Sequence, residues 1–182
     1  MQRLNVDGLN FDFPDDWQVS KYDDWSFYRN QFGNMWNGIK SLDLLVVDPS
    51  RTAWLIEVKD YRIYQRTKTL DLGKEVALKV FDTLAAMLPA KNSANDPVEK
   101  QMACTVVSAE CLRVVLHFEQ PAKHTRLRPQ AINPVNLQQK IRQLLKPVDA
   151  HPRVVDMSRL DALGWSVTPG VREDIASPED LI

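Results

Sequence analysis

Two short apolar runs flank a turn signal, and each has charged residues set inside it. Leu42-Asp43-Leu44-Leu45-Val46-Val47-Asp48 is followed by Pro49-Ser50-Arg51, then by Thr52-Ala53-Trp54-Leu55-Ile56-Glu57-Val58-Lys59. β-branched and aliphatic runs around an Asp-Pro turn predict an antiparallel hairpin. Runs this apolar belong to buried core strands. An unpaired charge buried in such a strand costs several kcal/mol, so Asp43, Glu57 and Lys59 require partners, a metal or a catalytic role. Glu57 and Lys59 are two apart and share a face of their strand. Asp43 joins that face only in an even register, such as 43 opposite 57, which requires an odd-numbered loop such as Pro49-Ser50-Arg51 or a bulge in one strand.

The rest of the chain bounds what such a hairpin can belong to. With 182 residues, 44% hydrophobic and 26% charged, it is long enough for one domain with a real core. No internal repeat is visible; residues 1–170 read as a single domain with its core over 20–146, and 171–182 as an acidic tail. No apolar run reaches the length of a membrane span, and the N-terminus lacks a signal peptide's apolar stretch, so a cytoplasmic location without membrane contact is expected. Cys104 and Cys111 suit a reducing compartment and, with three scattered histidines, show no zinc-site spacing. Neither G-x-x-x-x-G-K-[ST] nor G-x-G-x-x-G occurs, and G-x-S-x-G is absent too.

Around the hairpin, residues 1–19 predict an edge strand and turn. Ser20 and Asp23 have capping-box spacing, and Trp25, Tyr28, Phe32 and Trp36 follow at helical intervals, which predicts a helix over 21–36 with these aromatics in the core. Leu72, Val76, Val80, Leu84 and Leu88 predict a second helix over 71–88, stopped by Pro89 before a polar loop at 91–96. A helix starts at Pro97 behind Asp96, and a strand spans 112–118. A further helix covers 134–145, and short strands fall at 153–156 and 165–167. The order describes an α/β sandwich around a mixed central β-sheet flanked by helices.

These residues resemble the restriction-endonuclease-like, or PD-(D/E)xK, nuclease superfamily. Asp43, thirteen intervening residues and Glu57-Val58-Lys59 match its motif, with Leu42 in place of the proline. The helix–strand–hairpin–strand–helix order over residues 20–90, extended by the strand and helix to about 146, matches its core. The resemblance implies a restriction-endonuclease-like fold and a metal-dependent endonuclease that hydrolyses DNA phosphodiesters, in repair or phage defence. Asp43, Glu57 and the Val58 carbonyl would hold Mg²⁺, with Mn²⁺ as a substitute, and Lys59 would serve the attacking water and the phosphate. The alternative is a catalytically silent nuclease-like module that binds nucleic acid or assembles with protein. A homodimer or a larger complex is the implied assembly.

Asp23 and Asp24 are candidates for an extra metal ligand, although their place at a helix start explains them as capping residues. Local positive charge points to nucleic acid despite a net charge of −1. Arg62, Arg66 and Lys68 follow the motif with aromatics interleaved, and Lys123, Arg126 and Arg128 lie in a segment whose only acidic residue is Asp149. All six are predicted backbone contacts. His117, on an apolar strand, reads as a core histidine and His124 as part of the basic loop.

Overall fold

The computed structural model describes residues 1–62, 70–121, 132–160 and 163–171. Its main sheet has five strands in the order β3 (Gln18–Lys21), β4 (Leu44–Val47), β5 (Thr52–Asp60), β6 (Cys111–Glu119) and β7 (Arg153–Val155). β3, β4 and β5 run antiparallel to their neighbours, whereas β5, β6 and β7 are parallel. A parallel pair needs a long crossover. Helices α2 (Leu72–Ser93) and α3 (Pro97–Val107) fill the one between β5 and β6, and α4 (Pro134–Leu145) lies in the one between β6 and β7. The α/β class with a mixed sheet is therefore as the sequence indicates.

Side-chain parity divides the core in two. Leu45, Val47, Leu55, Val114 and Leu116 face the helices with Val76, Val80 and Ile141. Leu44, Val46, Ile56, Val58 and Val115 face the other way, onto Phe11, Phe13, Leu163 and Trp165. That second layer is a three-stranded sheet of β1 (Gln2–Val6), β2 (Leu9–Phe13) and β8 (Ser166–Pro169). Cover on both faces explains why β4 and β5 read as continuous apolar runs. The sequence places 1–19 as an edge strand and turn. Instead the segment forms a hairpin in its own sheet, and only Gln18–Lys21 joins the main one.

Further departures have physical causes. The single helix expected over 21–36 is three short pieces: a 3₁₀ turn at Tyr22–Asp24, α1 (Ser26–Asn30) and a 3₁₀ turn at Phe32–Asn34. Ser20 caps nothing, because its hydroxyl accepts from the Trp25 indole at 2.7 Å. Glu99 of α3 takes the backbone N–H groups of Ser26 and Phe27. Trp25 and Phe32 are buried as expected, but Trp36 is 77% exposed.

Pro89 does not stop α2, which continues to Ser93. The carbonyl a proline frees four residues back is that of Ala85, an exposed residue, so water can take the bond. By contrast, Asp96 caps α3 as its position suggests, accepting from Val98 and Glu99 N–H. The observed α4 has the boundaries its pattern predicts. No described helix is long and apolar enough to cross a membrane. The tail from 172 onward lies outside the described residues.

Pro89→Ala restores an N–H donor inside a continuous helix. Allowing for proline's restriction of the unfolded chain, it should raise stability by roughly 2 kcal/mol in urea unfolding. A lower midpoint in the variant would show that the helix depends on its proline.

Candidate functional site

Hairpin register decides where the motif residues meet. Leu44 pairs with Ile56 and Val47 with Ala53. Asp48 N–H closes onto the Thr52 carbonyl at 3.1 Å, which leaves Pro49-Ser50-Arg51 as the loop. Arg51 takes the left-handed conformation, φ 61°, that such a loop needs. The pairing sum of 100 carries on to Asp43 and Glu57, one step beyond the last ladder pair. Asp43 Oδ2 accepts from Val58 N–H at 2.6 Å, and the Asp43 carbonyl accepts from Tyr22 N–H. Asp43, Glu57 and Lys59 thus lie together on the helical face.

Glu57 is fully buried. Two ammoniums close on its Oε1, Lys59 Nζ at 2.5 Å and Lys79 Nζ at 2.5 Å. Lys79 Nζ also lies 3.7 Å from Asp43 Oδ1. Neither carboxylate oxygen of Glu57 has a donor in hydrogen-bond geometry, so the contacts are close ion pairs. Burial first, and then Asp43, push the Glu57 carboxyl up, and Lys59 and Lys79 pull it back. Burial alone would lower Lys59, but Glu57 and Asp43 outweigh it and hold the ammonium above its ordinary value. Retention of the Lys59 proton governs the pair, since separating the charges would strand Glu57 in the core.

Lys79 is the residue that the hairpin motif does not reveal. It comes from α2, next to Val80 of the apolar series, and its side chain is 13% exposed. A lysine flanking the buried stripe of a helix that follows an acid-bearing hairpin is the one signal in the sequence.

The acidic neighbours divide. Asp24 is spent on Lys21 and Arg29. Asp23 caps nothing, and its Oδ1 is buried without a partner. Burial, then Asp43, then Asp24 raise its carboxyl to about 6. Arg62 is folded back onto Asp60 by 2.9 Å contacts from Nε and Nη2. Arg66, Lys68, Lys123, Arg126, Arg128 and His124 lie outside the described residues. His117 is a buried core histidine as expected, with Nε2 on Glu119 at 2.9 Å and Phe11 edge-on.

The proposed metal ligands are already engaged. Both ammoniums sit on Glu57 Oε1, Val58 N–H holds Asp43, and the Val58 carbonyl accepts from Lys59 Nζ at 3.1 Å. Among the described residues, no three His, Cys, Asp or Glu side chains are grouped to hold a metal ion. As arranged, these residues do not fit a resident Mg²⁺, because the lysines stand where the cation would.

Comparison with known proteins corrects the functional expectation. No family profile and no solved structure matches the chain. A cysteine–tRNA ligase of Neisseria meningitidis is 27% identical over 223 aligned positions, covering 100% of this chain and 32% of the ligase. The chain therefore spans about a third of the length of that curated relative. The relative is an aminoacyl-tRNA ligase, so membership of the PD-(D/E)xK superfamily, DNA hydrolysis and the endonuclease assignment are all overturned. The silent alternative loses its nuclease kinship with them. The motif residues do meet, but meeting is a property of the hairpin register and does not specify the chemistry.

The raised Asp23 carboxyl makes a signed prediction. A folded-state value above the unfolded one stabilises fully below the unfolded value and is lost as pH rises through the folded value. Between pH about 4 and about 6, wild type should lose stability relative to Asp23→Asn, which cannot ionise. Parallel stability–pH curves for the two proteins would show that Asp23 is not held in this environment.

Proposed function

We propose that this chain is an RNA-contacting module of the tRNA-ligase kind, working in the cytoplasm, and that its polar centre acts through lysines without a resident divalent ion. The observation that carries the reading is the alignment, which runs the whole length of the chain yet covers only a third of a cysteine–tRNA ligase. A module that matches part of such an enzyme is suited to holding its tRNA.

Two features of the centre support this. Lys59 and Lys79 converge from a strand and a helix, each with a small exposed fraction of side chain, 14% and 13%. An ammonium held by a buried carboxylate is a pre-positioned point charge, which a phosphate can share without ordering a free lysine. Arg62, 28% exposed at the end of the same strand, is positioned by Asp60 in the same manner. Phosphate contacts of this type fix register on an RNA and carry no sequence information.

The test is a salt titration of tRNA binding beside duplex DNA of similar length. Wild type should prefer tRNA. Lys59→Met should weaken binding and lower the log–log salt slope by roughly 0.7 to 0.9, the value of one lost phosphate contact. Equal affinity for duplex DNA, or no tRNA binding at low salt, would refute the RNA reading. Melting curves of the RNA-free protein should not move with millimolar Mg²⁺ or Mn²⁺, since a ligand that binds only the folded state raises its stability. A rise of several degrees would overturn the metal-free centre.

A further inference from the structure

A cavity of about 260 Å³ lies at the other end of the parallel strands, lined by Trp54, Arg113, Val114, Asp149, His151 and Arg153. Strand register builds it. Trp54 pairs with Arg113 across β5 and β6, and Val115 pairs with Arg153 across β6 and β7. Arg113 and Val115 are two apart, so Trp54, Arg113 and Arg153 share one face, opposite to that of Glu57 and Lys59.

Asp149 is the only carboxylate in the lining, and it is already committed. Its side chain is 1% exposed and accepts from Arg113 Nη1 at 3.0 Å, Val114 N–H at 2.8 Å and His151 N–H at 2.8 Å. It fixes the guanidinium at the cavity wall and leaves Arg153 and the imidazole of His151 exposed. The Trp54 indole is pinned by its N–H to Asp48 Oδ2 at 3.0 Å and packs edge-on against Trp165. Two guanidiniums beside a fixed indole combine an anion site with an aromatic wall, the pairing that single-stranded nucleic acids use.

We propose that this cavity binds one nucleotide unit of single-stranded RNA, its phosphate on Arg113 and Arg153 and its base against Trp54. The inference rests on the RNA-contacting reading above but is tested apart from it. Position 54 lies five residues from Lys59 on β5, about 16 Å along the strand, so the two contacts belong to different nucleotides.

The probe is AMP, followed by NMR on the Trp54 indole N–H cross-peak, which is identified by its loss in Trp54→Phe. AMP should shift this peak, and inorganic phosphate should compete at higher concentration. Arg153→Ala, at an exposed position, should weaken AMP binding roughly tenfold, the loss of one charge-assisted contact. His151→Ala should act in the same direction and serves if the arginine variant melts early. A Trp54 peak unmoved by AMP and by a single-stranded RNA, in protein that still binds tRNA, overturns the cavity and leaves the RNA reading intact. A shift sensitive to Arg153→Ala in protein that binds no tRNA supports the cavity and sinks that reading.

Discussion

A carboxylate with no exposure to water sits in the middle of the sheet, and the arrangement around Glu57 follows from keeping it there. An isolated buried charge is costly enough to unfold a domain of ordinary stability, so cations must be brought to it. One, Lys59, comes from its own strand two residues on, and the other, Lys79, comes from α2. The second contact ties the helical layer to the sheet at a fixed height. The hairpin register does the rest, setting Asp43 on the Val58 N–H and its carbonyl on the Tyr22 N–H, which joins β3 to β4. A single-residue slip would turn Asp43 to the other face and leave Lys79 with half of its partners.

The parts of this structure that are legible in the sequence are those fixed by local chemistry. Asp96 caps the helix that Pro97 opens, and the start of α3 follows, as do both ends of α4 from its apolar pattern. The parity argument allows Asp43 the face of Glu57 through an odd loop or a bulge, and the three-residue loop supplies it. What escapes the sequence depends on partners far along the chain. The 21–36 segment has helical spacing, yet its α1 N-terminus is held by Glu99, more than seventy residues away. The second sheet joins β2 to β8 across most of the chain length, and no periodicity signals such a pairing. Pro89 is tolerated because Ala85 faces water, a matter of burial that a proline in a sequence does not disclose.

Function was less legible than geometry. Asp43, Glu57 and Lys59 come together as the spacing implies, but the same trio serves hydrolysis or structure depending on what fills the space between the acids. Here an ammonium from α2 fills it, and Lys79 belongs to no motif read from the hairpin. A similarity to a cysteine–tRNA ligase stands where the motif implied a nuclease. The wall of Trp54, Arg113 and Arg153 was equally hidden, since its residues are spread over three strands and only register gathers them.

The most direct measurement of the central claim is a double-mutant cycle on Glu57→Gln and Lys79→Met, read by urea unfolding. If Lys79 neutralises a buried Glu57, the two changes are strongly coupled. The double variant should be more stable than the sum of the singles predicts, by roughly 2 kcal/mol or more. Additive losses within about 0.5 kcal/mol would mean that Lys79 does not hold the carboxylate, and the lysine-centred account of the site would fall.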